Sequence, residues 1–309
     1  MKRRWISIPV VACSAVALLL TVPIWMPIAA VVDMALGRRL ATVRAFTFAT
    51  AYAWAEVAGL WRALRAGQDP EANYALQRAW ALGLWNLAVG LYQLDVRVDG
   101  ADQIEPGPLL LLPRHSSLAD TLLPITVLGP KQMRPRYVLK RELLWDPCLD
   151  VVGNRVPNAF VQRSGDTENA IAGVAALAND MGPHDAIVLY PEGTRFSPER
   201  QARALARVQP ERRARCATWR HVMPPHSGGV CAVLAVRKMD VVFCAHRGLE
   251  PAATAKALLN GSMIGQRVDV ALWRVDAAQI PDGRADQALW LDAMWEEMER
   301  RVEAMHRPD

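Results

Sequence analysis

The first part of the chain is dominated by apolar positions. No charged side chain occurs between Trp5 and Val32, a run of 28 residues. As one straight helix this run would be about 42 Å long, which exceeds the roughly 30 Å of a hydrocarbon core. Pro23 and Pro27 fall late in the run, and proline interrupts a helix. The pattern therefore predicts a long and a short helical arm that lie in or on a membrane.

Positive charges flank this run on both sides and make its orientation ambiguous. They are Lys2, Arg3 and Arg4 before it, and Arg38, Arg39 and Arg44 after it. A single span would place one group on the wrong side of the membrane, whereas a hairpin with both ends cytoplasmic satisfies the positive-inside rule. We expect the cytoplasmic (inner) membrane as the location, with the rest of the chain on its cytoplasmic face. A cleaved signal peptide is the alternative, although the run is long for one.

Two further apolar stretches follow, at residues 40–66 and 74–94. Six of the eleven tryptophans lie in the first 85 residues, and tryptophan prefers the headgroup level of a membrane. The pattern favours helices packed at a membrane interface, with an ordinary helical core as the alternative. The charge-free stretch 79–94 is shorter than the roughly 20 residues that a second crossing needs.

After residue 94 short apolar runs alternate with helical patterns, as in a mixed α/β domain. The predicted strands cover residues 94–99, 109–112, 137–140, 186–190, 241–245 and 268–275. One predicted helix begins near residue 118, and two others cover residues 166–181 and 285–305. We therefore expect an N-terminal membrane-anchoring helical region over 1–93 and, over 94–309, an α/β domain with a mixed sheet flanked by helices.

Composition narrows the class of protein. Of the 309 residues, 52% are hydrophobic and 22% are charged, which excludes both a disordered chain and a polytopic transporter. Five cysteines without a CxxC pair or clustered histidines argue against a disulfide framework and a zinc knuckle. The net charge of +5 favours an acidic partner: a membrane surface, phosphates or nucleic acid.

The positive charge is concentrated in one segment, residues 199–220. This segment holds two glutamates and seven arginines, so its surplus equals the net charge of the whole chain. The arginines are Arg200, Arg203, Arg207, Arg212, Arg213, Arg215 and Arg220. The position of the surplus favours contact with anionic lipid headgroups or with an acidic acyl donor rather than with nucleic acid, and a solvated helix face is the alternative.

The first candidate for chemistry follows the predicted strand 109–112. His115 and Asp120 are five positions apart, which on one helix would rotate them about 140° from each other. They can meet if His115 lies in the turn and Asp120 lies in the first helical turn, where Ser116 or Ser117 can cap the helix. The carboxylate would then fix the imidazole tautomer and leave the other nitrogen as a general base. A surface histidine beside a helix cap is the alternative.

The second candidate is the sequence YPEGTR at residues 190–195, which follows another predicted strand. Gly193 would let a ligand approach the backbone, and Arg195 offers a planar fork suited to phosphate. Glu192 could hold that arginine or a nearby hydroxyl. Arg163, which ends an apolar run, and Lys140 are further cations for the same crevice, with surface ion pairs as the alternative.

Together these blocks resemble the glycerolipid acyltransferase family, which includes the 1-acylglycerol-3-phosphate acyltransferases. The HxxxxD motif of the family is similar to His115 to Asp120, its second motif to residues 160–163, and its FPEGTR motif to residues 190–195. Residues 221–229 are similar to the fourth block of the lysocardiolipin-type branch. The chain departs from the family pattern at Tyr190, which replaces Phe, at Pro157, which replaces Gly, and at His226, which replaces Arg.

The resemblance implies acyl transfer to the sn-2 hydroxyl of a lysophospholipid, with acyl-CoA or acyl carrier protein as donor. His115 would be the general base and Asp120 would orient it, with no acyl-enzyme, no cofactor and no metal. It also implies membrane lipids as partners and no nucleic acid. The implied substrate-binding residues are Lys140, Arg163, Glu192, Gly193, Thr194 and Arg195.

Three other functions are compatible with parts of the pattern. An acyltransferase for a lysophospholipid with another headgroup would use the same catalytic residues. A lipid serine hydrolase could use Ser227, but Pro225 stands where the GxSxG elbow needs glycine. A non-catalytic membrane or nucleic-acid binder could use the arginine-rich segment 199–220.

Overall fold

A computed structural model describes residues 2–162 and 167–307 of the chain. The residues form two compact units. The first comprises Met1–Asp95, Leu139–Asn158 and Thr254–Gln266, and the second comprises Val96–Val138, Ala159–Ala253 and Arg267–Asp309. The first unit thus contains two later segments besides the N-terminal region, which a single boundary near residue 94 does not anticipate.

The α-helices and β-strands alternate after a helical N-terminal region. The α-helices are α1 (Lys2–Leu20), α2 (Val22–Ala35), α3 (Ala41–Ala66), α4 (Pro70–Tyr92), α5 (Leu123–Leu128), α6 (Pro147–Val152), α7 (Thr167–Ala175), α8 (Pro198–Leu205), α9 (Pro210–Cys216), α10 (Ser227–Val236), α11 (Ala255–Leu259) and α12 (Arg284–His306). The strands are β1 (Asp95–Asp99), β2 (Leu109–Pro113), β3 (Arg134–Lys140), β4 (Ala159–Val161), β5 (Asp185–Val188), β6 (Asp240–Arg247) and β7 (Arg267–Val275).

The first unit is helical, and α1 and α2 are the two arms that the prolines predict. Thr21 alone separates them, and its φ of −91° and ψ of 2° are close to helical values. One residue in this conformation cannot reverse the chain, so α1 and α2 form a kinked continuous rod and the predicted hairpin between them is wrong. Both arms pack against α3. Among the described residues, α1 is the helix long and apolar enough to cross a membrane.

The second unit contains a seven-stranded sheet with the order β1-β7-β6-β2-β5-β3-β4. Strand β2 is parallel to both β5 and β6, and β3 is parallel to β5. Strand β7 is antiparallel to β6. The sheet is therefore mixed, and with its flanking helices it confirms the predicted α/β class.

The core of the second unit lies between one face of the sheet and helices α7, α10 and α12. Leu110, Ile187 and Phe243 point from the central strands into this layer and are fully buried. Trp295 of α12 packs edge-on against Phe243. Central strands buried on both faces read as continuous apolar runs, as LLLL does in β2.

The parallel strands β2, β5 and β6 determine where functional groups gather. Their carboxyl ends meet at one edge of the sheet, which is where α/β folds collect their active sites. His115 follows β2 and the YPEGTR turn follows β5. The two candidate motifs are therefore brought to the same edge.

Candidate active site

His115 and Asp120 form a hydrogen-bonded dyad at this edge. The Nδ1 atom of His115 lies 3.0 Å from Oδ1 of Asp120. Because a carboxylate oxygen accepts, Nδ1 carries the proton. The Nε2 atom on the other side of the ring has no hydrogen-bond partner among the residues that the structure describes. The ring is partly accessible, with 12% of its side chain exposed, so Nε2 can act as a base toward a bound substrate.

The dyad exists because of the turn between β2 and the short 3-10 helix Ala119–Leu122. His115 lies in that turn and Asp120 lies in the first helical turn, as the spacing predicts. Oδ2 of Asp120 accepts hydrogen bonds from the backbone N–H of Ser116 at 2.6 Å and of Ser117 at 2.7 Å. Ser117 Oγ in turn accepts from the N–H of Asp120 at 3.2 Å.

Asp120 is fully buried yet suited to remain ionised. Burial alone would raise its pKa, but the hydrogen bond and charge of His115 and the Ser117 N–H together hold the pKa of Asp120 below its usual value. Opposite charge and donated hydrogen bonds favour the charged form of a carboxyl group. Asp120 can therefore orient the His115 ring and stabilise the imidazolium that forms during proton transfer.

Glu192 has a different role from the predicted one. It is buried, and its two oxygens accept hydrogen bonds from the backbone N–H of His115 and Met223, each at 2.8 Å. It therefore does not serve as a ligand for Arg195 or for a substrate hydroxyl. Burial raises the pKa of Glu192 to about 8. Its position ties the turn after β5 to the backbone of His115.

Gly193 and Arg195 lie where the motif predicts. Gly193 is exposed and has a φ of +62°, a conformation that favours glycine. Its N–H donates a hydrogen bond of 3.0 Å to the carbonyl of Tyr190, which closes the turn. A side chain there would come within 3.4 Å of the ring of His226. Thr194 follows half-buried, and Arg195 donates from Nη1 to the carbonyl of Ala253 at 3.1 Å.

The structure describes one of the two other predicted cations, Lys140. Lys140 ends β3 and belongs to the first unit, whereas the dyad and the YPEGTR turn belong to the second. Arg163 lies outside the described residues, directly after the described part of the chain that ends at residue 162.

The structure adds a buried polar network that sequence reasoning missed. The guanidinium of Arg114 is fully buried and donates to the carbonyls of His221 and His246 and to the carboxylate of Glu250. Although burial opposes ionisation, the charge of Arg114 lowers the pKa of Glu250 to about 2. Arg114 directly precedes His115, and this adjacency is the signal that sequence offers. His246 lies in β6 and Glu250 begins the short 3-10 helix Glu250–Ala253, and neither residue belongs to a sequence motif.

Tyr190 also contributes to the site. Its ring packs on the His115 ring with centroids 4.8 Å apart, and its hydroxyl donates to the Asp120 carbonyl at 3.1 Å. Tyrosine at position 190, where the family motif has phenylalanine, thus adds one hydrogen bond to the turn that holds His115 and Asp120.

Ser227 is not arranged as a hydrolase nucleophile. It is the first residue of α10, and it follows residues 223–226, which form no strand. A nucleophile elbow places its serine between a strand and a helix. The site therefore does not favour the serine hydrolase reading.

Comparison with known proteins agrees with this geometry. Residues 95–246, which hold the dyad and the YPEGTR turn, match the family model described as Acyltransferase. A search of curated protein sequences gave no significant match. The fold is similar to the crystal structure of the 1-acyl-sn-glycerophosphate (LPA) acyltransferase PlsC from Thermotoga maritima, with a TM-score of 0.61 and 17% identity over 88% of this chain and 98% of that chain. The family match supports an acyltransferase, and the structural likeness shows that this chain and PlsC share a fold.

Proposed function

We propose that this protein transfers an acyl chain from acyl-CoA or acyl carrier protein to the sn-2 hydroxyl of 1-acylglycerol-3-phosphate or a related lysophospholipid. The observation that carries the proposal is the dyad, in which buried, ionised Asp120 holds Nδ1–H of His115 and leaves Nε2 for a substrate. A general base is sufficient for this transfer and no covalent acyl-enzyme is needed, because the thioester of the donor is already activated.

The reaction follows from this arrangement. Nε2 of His115 takes the proton of the acceptor hydroxyl as its oxygen attacks the thioester carbonyl carbon. The new C–O bond forms, the C–S bond breaks, and the imidazolium returns its proton to the departing thiolate. Asp120 stabilises the imidazolium throughout, and it stays ionised because its pKa lies below the usual value.

Arg195 is the proposed anchor for the acceptor phosphate. A guanidinium binds phosphate oxygens with two parallel hydrogen bonds, and the Arg195 side chain is held in place by one bond to the Ala253 carbonyl. The ring of His226, which directly precedes α10, lies beside exposed Gly193 of the same motif. Lys140, a cation at the end of a strand, and Arg163, the last residue of the second family motif, remain proposed contributors.

The N-terminal helices support membrane attachment, which the proposal requires because acceptor and product are lipids. Helix α1 exposes large apolar side chains, among them Trp5, Val10 and Leu20. Helix α2 exposes Ile24 and Ile28 in the same way. Such surfaces are costly in water and stable in a bilayer or at its interface. We place the enzyme at the inner membrane with its site on the cytoplasmic face.

The decisive experiment is an acyl-transfer assay on the purified protein in lipid vesicles. His115→Ala removes the base, and we expect turnover with acyl-CoA and lysophosphatidic acid to fall by about 10²- to 10⁴-fold, the usual contribution of a general base. The product is quantified by lipid mass spectrometry. His184→Ala is the matched control, because His184 is an exposed histidine in a loop of the same unit.

Wild-type turnover in His115→Ala would overturn the assignment of the base. The same assay with a panel of lysophospholipids and both donor types identifies the acceptor headgroup, including the lysocardiolipin-type acceptors that residues 221–229 resemble. A wild-type protein inactive with every pair of donor and acceptor would overturn the proposed function itself.

A further inference from the structure

His246 is a fully buried imidazole beside the dyad that the proposed mechanism does not use. Its Nε2 atom lies 3.0 Å from the carbonyl oxygen of Arg114 and 3.7 Å from Oδ2 of Asp120. Since a carbonyl can only accept, Nε2 carries a proton. The Nδ1 atom is buried and has no partner within the described ranges. The side chain thus presents one N–H, and it presents it to the catalytic turn.

The first consequence concerns the peptide that joins Arg114 to His115. Its carbonyl oxygen accepts the N–H of His246, and its own N–H donates to Glu192 Oε1 at 2.8 Å. Both polar groups of this peptide are therefore held by buried side chains from two different strand ends. Buried hydrogen bonds of this kind fix a backbone segment strongly, because breaking one leaves a buried polar group unpaired.

The second consequence concerns the carboxylate. Oδ1 of Asp120 faces His115, and Oδ2 faces the N–H groups of Ser116 and Ser117 with His246 just beyond them. The carboxylate therefore lies between two imidazoles, of which only His115 is accessible.

Burial is the main reason why His246 is a neutral donor, although three charged groups surround it. They are Asp120, Arg114 and Glu250, and the last two form an ion pair. Burial lowers the pKa of His246, and Arg114 opposes its protonation further, against the opposite effects of Asp120 and Glu250. A neutral ring with a single N–H adds no charge that would compete with the dyad.

We propose that His246 is a positioning residue of acyl transfer. Its N–H holds the carbonyl of the Arg114–His115 peptide, and its buried ring lies against the Asp120 carboxylate, with 3.7 Å between Nε2 and Oδ2. Nε2 of His115 is thereby directed at the acceptor hydroxyl. The proposal rests on the proposed function, and it assigns His246 no contact with substrate.

Substitution at residue 246 gives the first test. His246→Leu removes the N–H, and we expect kcat to fall about tenfold or more with KM nearly unchanged. His246→Gln can supply an amide N–H close to the position of Nε2 and should recover part of the loss. Phe243→Leu is the matched control: it lies on the same strand in the hydrophobic core, against Trp273, so it should lower stability without changing kcat per folded molecule.

A double-mutant cycle separates positioning from a general structural effect. If His246 acts through the dyad, His246→Leu should cost much less in an Asp120→Asn background than in the wild type. If the fold-loss in kcat of the double variant equals the product of the losses in the two single variants, the proposal is wrong. If the Leu variant does not fold, the cycle is built with His246→Gln, whose smaller loss should likewise shrink beside Asp120→Asn.

A readout independent of turnover is the proton NMR signal of His115 Nδ1–H in protein labelled with ¹⁵N-histidine. His246→Leu, or His246→Gln to a smaller degree, should shift this signal or speed its exchange with water, whereas Phe243→Leu should not. An unchanged signal in both His246 variants would overturn the proposal. Because the signal needs no substrate, it decides the role of His246 even if the wild-type protein transfers no acyl chain.

Discussion

Glu192 makes the free energy of unfolding depend on pH. Burial raises its pKa to about 8 from the ordinary 4.5, although the N–H groups of Met223 and His115 oppose the shift. Between these two values the folded protein retains a proton that the unfolded chain has lost. The contribution of Glu192 to stability is therefore complete below pH 4.5 and is lost as the pH rises toward 8, by about 1.4 kcal/mol per pH unit.

Glu192→Gln isolates the pH-dependent part of this contribution, because glutamine has nearly the same shape and cannot ionise. Its NH2 group faces one of the two backbone N–H groups that Glu192 accepts, and the cost of that lost hydrogen bond does not vary with pH. We expect the variant to gain stability relative to the wild type by about 1.4 kcal/mol per pH unit between pH 5 and 8, measured by urea denaturation. The comparison cancels the other titrating groups. Exposed Glu142, changed to Gln, is the matched control for the substitution itself. A flat difference for Glu192→Gln would show that its carboxyl is ionised in the folded protein.

The residues of the site differ in how well the sequence predicts their place and their contacts. His115 and Asp120 were predictable because their spacing, a preceding strand and a capping serine together permit one geometry, which the structure has. Glu192 was assigned to ligand binding because the pattern gives its neighbours but not its burial. His246 had no signal, since its partners Arg114 and Asp120 lie more than a hundred residues earlier in the chain.

Among the helices, α3 and α6 pack so closely that one contact has no room for a methyl group. A Cβ atom at Gly59 of α3 would overlap Sγ of Cys148 in α6. The two helices are also joined by Glu56, whose carboxylate accepts the N–H of Cys148 at 2.9 Å. Gly59→Ala should therefore destabilise the protein by roughly 1–3 kcal/mol through overpacking. Thermal or urea unfolding measures this change.

The contact predicts a specific rescue. Cys148→Ala removes Sγ, so adding it to Gly59→Ala should restore most of the lost stability. Gly83→Ala is the matched control, because Gly83 lies inside α4 with open space around its Cβ position. That change should stabilise by about 0.5–1 kcal/mol through helix propensity alone. Equal effects at Gly59 and Gly83, or no rescue by Cys148→Ala, would contradict the packing argument.

The pattern of apolar residues predicted the strands β2, β6 and β7 and the long helix α12 closely. The strands are largely buried apolar runs, and α12 buries one face against the core. The pattern did not predict that residues 139–158 join the helical unit, since that depends on contacts between distant segments. The hairpin prediction failed for a related reason. It treated the flanking arginines as free charges, whereas Arg4 pairs with Asp150 and Arg39 donates to the carbonyl of Ile264.

Across the whole molecule, the net charge of +5 equals the surplus of residues 199–220, and the structure divides its seven arginines by role. Arg212 pairs with Asp292, Arg213 donates to the carbonyls that end α8, and Arg200 donates to the carbonyl of Arg195. These three hold the local fold. The remaining four are exposed: Arg203, Arg207, Arg215 and Arg220.

The exposed arginines are the ones that can contact anionic headgroups. Each basic residue near such a surface contributes about 1 kcal/mol, so changing Arg207, Arg215 and Arg220 to Gln should weaken binding to anionic vesicles by roughly 100-fold. The measurement is the ratio of binding to anionic and to neutral vesicles, because the apolar face of α1 contributes to both. The loss should shrink at high salt, which screens surface charge. An unchanged ratio would mean that these side chains form only a solvated face, and that membrane attachment rests on the N-terminal helices alone.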